Sequence, residues 1–300
     1  MIEVLNPAFE DLVDSAAQLE LIASGFKFTE GPVWHAKKSC LYFSDIPADT
    51  LYCYQPAAGV MEFRKPSHFS NGLSINAKGE LVICEHRGRA VSQQSGNDFK
   101  VVVSHFRGKK LNSPNDIIVS RDGSIYFSDP IYGLQEGLGG PAEQELDIQG
   151  VYRVSPGQKE AELLFDDFER PNGLAFNHDE SMLLVIDTVK QHIRQFEKKA
   201  DGSFIYKGVF AELWGEGPGR PDGMKLDIDD NVFCTGPGGI WVFSPAGGLL
   251  GKIILSDKDK TANLAWGDDD RKSLYITSSG NLFRLRCKTT GMTPMDIFLK

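Results

Sequence analysis

The stretch RPNGLAFNHDESMLLVIDT, Arg170 to Thr188, sets a Pro-Asn-Gly step against an apolar run, breaks at NHDES, and closes a second apolar run on an acid. Two short runs around a polar turn read as a β-hairpin. Similar phrases occur at SPNDIIVSRDGSIYFSDP and RPDGMKLDIDDNVFCTG, and alignment on the apolar residue four positions after the key residue gives six copies, with key residues Glu30, Asn71, Asn115, Asn172, Asp222 and Ala262. Their spacings are 41, 44, 57, 50 and 40 residues. A third strand follows most copies, as in TLYCY, GVYRV, HIRQF, GIWVF and NLFRL.

About 45 residues of strand per repeat, six times over and almost without helical periodicity, predicts an all-β, six-bladed β-propeller, whose blades are sheets set around a channel. The Trp-Asp repeat signature is absent. Residues 1–300 read as one domain, with a lead-in strand at about 16–28 (QLELIASGFKF) completing the last blade. The longest gap holds the Gly-rich stretch 131–150, read either as a flap over one face or as a solvated insertion.

Composition narrows the partners. The chain has 300 residues, 41% of them hydrophobic, enough for one large β domain or two ordinary ones, and a formal net charge of −9. That balance argues against nucleic acid and anionic membranes, which call for clustered Lys and Arg. The N-terminal MIEVLNPAFEDLVD carries acids where a secretion signal needs a basic start and an apolar run, so a cytoplasmic location is expected. Five scattered cysteines without a Cys-x-x-Cys pair suggest reduced, buried thiols; Cys84 beside Glu85 and His86 is the one candidate nucleophile among them.

In a propeller, equivalent positions of all blades stand at one height around the axis. The six key residues are therefore expected to converge on one mouth of the channel, offering two carboxylates, three amides and one blank, Ala262. Oxygen donors without thiolate or imidazole suit hard cations such as Ca²⁺, Mg²⁺ or Mn²⁺. The alternative is structural, since Asn-Gly and Asp-Gly are common turn dipeptides. Glu30 is a poor turn residue, and oxygen donors persist while the neighbouring turn chemistry changes, so a metal or polar-ligand site is the better reading. The acids ending the second strands (Asp45, Glu85, Asp129, Asp187) read as acceptors of backbone N–H groups, and Asp116 as a supporting acid or turn acceptor. His86 and Asn71 are candidate substrate contacts.

The phrases TEGPVW, LNSPNDIIVSRDGSIYFSDP, RPNGLAF and PDGMKLD together resemble the senescence-marker-protein/gluconolactonase family, regucalcin-like proteins included, over about Phe28 to Leu285. CEHRGR and LNSPND are most similar to its bacterial gluconolactonase branch. The resemblance implies one divalent cation on the propeller axis, Ca²⁺ foremost, with Mg²⁺, Mn²⁺ or Zn²⁺ as alternatives. Its ligands would be Glu30, Asn172 and Asp222, with Asn115 close enough to bind metal or substrate. Regucalcin-like members carry an arginine where this chain has Ser113, so their substrate contacts do not transfer directly. The implied activity is metal-dependent opening of a sugar lactone such as D-glucono-1,5-lactone, with Asp222 positioning or deprotonating water. A phosphotriesterase, another lactonase, or a non-enzymatic calcium-binding or interaction propeller are the alternatives.

Overall fold

A computed structural model of the chain describes residues 1–298. Six sheets surround a channel. Four are built wholly from consecutive antiparallel strands near the repeat just described, and the other two each add a strand from the N-terminal end to strands of the C-terminal repeats. Their innermost strands are Thr29–His35, Ser70–Ile75, Ile117–Val119, Pro171–Phe176, Met224–Leu226 and Thr261–Gly267. Each lies against the next, and the last returns to the first, so the ring closes. Among the described residues there is no α-helix, only short 3-10 turns, and hence no helix long and apolar enough to cross a membrane.

Period-two alternation explains the core. In the strand Leu81–Glu85, Leu81 and Ile83 join the apolar cluster shared with the first blade, whereas Val82 and Cys84 join the one shared with the third. Successive side chains of a strand point to opposite faces. Because each sheet is sandwiched between two others, both faces are apolar, and one cluster fills each of the six blade interfaces. Every Val, Leu, Ile or Phe buried this way contributes roughly 1.5–3 kcal/mol relative to exposure. Cys84 is one of these packing residues: it is fully buried, and desolvation pushes its thiol well above the usual range. The nucleophile alternative loses its basis, since a reactive cysteine needs an accessible thiolate.

The two chain ends meet in one sheet. Glu20–Ser24 pairs antiparallel with Asn281–Arg286, outside three strands supplied by the C-terminal repeat. This strand is shorter than the span 16–28; Gly25, at φ +93, turns the chain out of extended geometry before Thr29 begins the next sheet. A second N-terminal strand, Ile2–Val4, has no counterpart in the sequence reading and adds a fifth strand to the fifth blade by pairing with Leu249–Ile254. The 3-10 turn Pro7–Asp11 then delivers Phe9 into the cluster between blades five and six.

The Asn-Gly and Asp-Gly steps are not hairpin turns. Asn71-Gly72 and Asn172-Gly173 lie within innermost strands, at register shifts between Ser70 and Leu73 and between Pro171 and Leu174. The glycine answers a close approach. A Cβ on Gly72 would stand 2.4 Å from the carbonyl oxygen of Asn115, and one on Gly173 2.3 Å from that of Asp222. In both cases the glycine N–H donates to that same oxygen, at 2.8 Å. Each glycine thus lets one blade hydrogen-bond to the key residue of the next.

Candidate active site at the mouth of the channel

The height of the key residues is set from behind. Asp45 accepts N–H bonds from Lys27 (2.9 Å) and Phe28 (3.1 Å), just ahead of Glu30, and Asp187 accepts from Glu169 (2.8 Å) and Arg170 (3.1 Å), just ahead of Asn172. Asp129 does the same for Asn112 (2.8 Å). In the fifth blade Gly236 stands at the acid's position, and the Thr235 hydroxyl just before it accepts from the Asp222 N–H at 3.0 Å. Glu85 departs from the pattern: one chain atom longer, it takes the side chains of Arg64 (2.9 Å) and His68 (3.1 Å).

Held this way, Glu30, Asn71, Asn115, Asn172 and Ala262 are buried at the mouth, and Asp222 is half-buried beside them. Glu30 and Asp222 feel each other's charge, and both feel that of Asp116. Burial first, opposed by the Gly31 N–H and reinforced by Asp116, moves the Glu30 carboxyl up to about 7. Burial, then the charges of Glu30 and Asp116, holds Asp222 well above the usual carboxylate range, while the Asn172 amide favours its ionised form. Asp116 has Oδ1 bonded to the Ile117 N–H at 2.8 Å, but its Oδ2 is buried without a partner. Three desolvated acids in mutual repulsion and an orphaned carboxylate oxygen are what a cation would relieve. Among the described residues no three His, Cys, Asp or Glu side chains form a metal centre on their own. A cation here would draw on amides as well. Asn115 is suitable, because its side-chain amide has no hydrogen bond among the described residues while its backbone is fully used by Ser128 and Gly72. The oxygen donor set therefore fits a hard divalent ion.

The blank position is filled from one residue along. Ala262 aligns by register with Asn71 and Asn172, since Thr261 pairs Ser278 as Ser70 pairs Glu85 and Pro171 pairs Asp187. The next residue, Asn263, stands where the other blades have glycine or Asp116, and its amide favours the ionised form of Glu30. Asn263 Oδ1 also accepts from Lys225 Nζ at 3.3 Å, placing a cation below the ring. Neither Asn263 nor Lys225 was legible as a site residue, because a side chain that crosses between blades leaves no periodic trace.

Asn71 and His86 face each other. His86 Nδ1 is 2.7 Å from the Leu138 carbonyl oxygen, which can only accept, so Nδ1 carries the proton and Nε2 accepts from Asn71 Nδ2 at 3.1 Å. Burial lowers the imidazole to about 4, against the weaker pull of the Leu138 carbonyl. His86 is thus a neutral strut between the ring and the 131–149 loop. Ser113 is a second strut: its hydroxyl donates to the Pro130 carbonyl (2.5 Å) and accepts from the Gly133 N–H (2.9 Å). On the same loop, Tyr132 lies within hydrogen-bond reach of Thr188 and Arg170 and feels the Asp222 charge. Thr188 in turn accepts from Asn172 Nδ2 at 3.0 Å and donates to the Pro221 carbonyl at 2.8 Å.

Beside Asp222 a cleft of about 560 Å³ opens between Phe28, Gln191, Arg220, Lys260 and Ala262. A cavity of about 470 Å³ at the hairpin end of the channel is largely apolar, lined by Val33, Trp34, Leu73, Phe176 and Trp266. Shape does not separate the two. Chemistry does, since the converging acids and amides stand at the ring end.

A closed six-bladed propeller with an oxygen-lined mouth defines the class of protein. Residues 28–280 match the family model described as the SMP-30/Gluconolactonase/LRE-like region, and the chain belongs to that family. It is 33% identical to a gluconolactonase of Zymomonas mobilis, over 95% of this chain and 86% of that protein. It is 26% identical to a pentonolactonase of Haloferax volcanii, over 87% of this chain and 84% of that one. Among solved structures, a gluconolactonase of Xanthomonas campestris superposes with TM-score 0.88 at 31% identity, covering 95% of this chain and 94% of its own. A calcium-binding regucalcin of Agrobacterium tumefaciens, at 16% identity and TM-score 0.76, shares the fold, over 92% of this chain and 96% of its own.

Proposed function

We propose that this protein is a lactone hydrolase that opens a sugar lactone of the D-glucono-1,5-lactone type, using one divalent cation held by Glu30, Asn172 and Asp222, with Asn115 beside it. The observation that carries this reading is the convergence of the buried Glu30 and Asp116 with the half-buried Asp222, with amides as their neighbours. The lactonases among its relatives supply the reaction class. A bound cation supplies Lewis acidity toward a lactone carbonyl and toward water.

The chain's own residues do the rest. Asp222, the acid that borders the cleft, takes a proton from the water that attacks the carbonyl carbon. The ring C–O bond breaks, its oxygen takes a proton, and the products are one carboxylate and one hydroxyl on the same molecule. Asn71, turned by His86, and Asn115, with its free amide, orient sugar hydroxyls. The struts from His86 and Ser113 hold the 131–149 loop at the edge of the site, where it limits the access of bulk water.

The experiment is a pH-stat screen of aldonolactones on chelator-treated protein, reloaded in turn with Ca²⁺, Mg²⁺, Mn²⁺ or Zn²⁺. Hydrolysis that disappears on chelation and returns with a cation is expected. Hydrolysis of no lactone with any cation, or a phosphotriester turned over with higher kcat/KM, overturns the proposal.

A further inference from the structure

The charges around the mouth do not match the charge of the protein. The chain carries 41 acids against 32 Lys and Arg. Yet Lys27, Arg87, Arg170, Arg220 and Lys260 stand at this one opening, and among the described residues none of them forms an ion pair within 4.0 Å. Their placement follows from the ring. Lys27 leads into Glu30, Arg87 follows His86, Arg170 leads into Asn172, and Arg220 and Lys260 line the cleft beside Asp222. Nearby acids are otherwise engaged: Glu169 by Lys190 at 2.7 Å, Asp45 and Asp187 by backbone N–H groups, and Asp259 by Ser256 at 3.0 Å. Glu212 and Glu216 are exposed.

Arg170 is the most constrained of the five. Its guanidinium lies 5.0 Å from the centre of the Tyr132 ring, and Tyr132 feels the charges of both Arg170 and Asp222. Arg170 Nε is shut off from solvent and has no hydrogen-bond partner. The side chain as a whole is only half-buried, so the rest of the guanidinium is open to a ligand at the mouth. The ring beside it narrows the space open to the guanidinium, and a planar fork of N–H groups matches a carboxylate or a phosphate. Arg87 repeats the arrangement more loosely, 5.6 Å over Phe69.

We propose that this cationic collar, with Arg170 as its principal contact, recognises an anionic group on the substrate. The preferred substrates are then sugar lactones bearing a second acidic function, a terminal carboxylate or a phosphate ester. The proposal rests on the lactonase reading for the reaction and on the collar for the class of substrate. Hydrolysis adds one water across the ring ester, so the product carries two acidic groups where a neutral lactone would give one.

The test compares D-glucono-1,5-lactone with D-glucaro-1,4-lactone and 6-phosphoglucono-1,5-lactone on the cation-loaded enzyme, and measures equilibrium binding of D-glucarate, 6-phosphogluconate and the neutral D-gluconamide. The two anionic lactones distinguish carboxylate from phosphate. Wild type is expected to favour one of them over the neutral lactone by at least about 10-fold in kcat/KM. Arg170→Gln should cut that preference by about 10- to 100-fold, the range for a lost charge-assisted hydrogen bond. Arg220→Gln should cut it less, and the preference should shrink with added salt. Lys78→Gln, an exposed cation at the opposite end of the channel, should leave both rates alone. Neutral lactone favoured by wild type, or equal losses on both kinds of lactone in Arg170→Gln, overturns the collar while leaving lactone hydrolysis standing. Arg170-dependent binding of glucarate or 6-phosphogluconate with no turnover of any lactone supports the collar and removes the lactonase reading. Absence of both preference and anion binding overturns the collar.

Discussion

The N–H of Gly173 donates to the carbonyl oxygen of Asp222 at 2.8 Å, across the interface between the fourth and fifth blades. One residue before that glycine is Asn172, so two proposed ligands are tied together through backbone. A Cβ at Gly173 would lie 2.3 Å from the same oxygen and 3.0 Å from Cα of Gly223. Backbone atoms on both sides cannot swing away as a side-chain tip can. Gly173→Ala should therefore cost about 1–3 kcal/mol in urea unfolding, the usual range for overpacking, and should weaken cation binding. An alanine variant with wild-type stability and cation affinity would show that the blades separate easily here.

Asp222→Asn separates ligand from base. The amide keeps an oxygen for a hard cation but loses a charge and nearly all basicity. Cation affinity should fall, and turnover at saturating cation should fall by about 10²–10⁴-fold, the usual cost of losing a general base. Asn172→Asp is the companion: it adds charge, should tighten the cation, and should slow turnover by quenching its Lewis acidity. Near-normal turnover of cation-saturated Asp222→Asn would reduce Asp222 to a ligand.

His86 gives a pH signature in stability. Its folded value of about 4 lies below the ordinary histidine value of about 6.5. The unfolded chain thus binds the extra proton first, and stability is lost as pH falls from about 6.5 toward 4. At about 1.4 kcal/mol per unit, this one group contributes at most about 3 kcal/mol over that window. The raised value of Glu30 works in the opposite direction, since its folded form gains a proton there more readily than the unfolded chain does. The difference between wild type and His86→Gln in urea unfolding at pH 7, 5.5 and 4.5 isolates the histidine, and a pH-independent difference would count against a buried neutral imidazole.

Ser113→Ala removes both hydrogen bonds that its hydroxyl makes to the loop, to Pro130 O and from Gly133 N. The loop should loosen, raising KM severalfold or changing the lactone preferred, while cation affinity measured by calorimetry stays as in wild type. Shortening residues 135–145 should act in the same direction. Unchanged kinetics on every lactone in both variants would make the loop a solvated insertion with no part in the site.

The sequence by itself determined the six-fold repeat, the hairpin of inner strands in each blade and the residues at the ring, because these follow from local hydrogen bonding, period-two alternation and a spacing visible along the chain. It also showed the strand-end acids as backbone acceptors, which Asp45 and Asp187 are. It misread the glycines as turn formers. Gly72 and Gly173 serve approaches to residues 43 and 49 positions away, and nothing local distinguishes a glycine needed for a turn from one needed for a neighbour. Only the tertiary structure brought Asp116 into the repulsion between Glu30 and Asp222, filled the blank at Ala262 with Asn263, and laid Arg170 over Tyr132. Those contacts join side chains from separate blades, or a blade and a loop. Their strength depends on burial, which a chain acquires only when the ring closes.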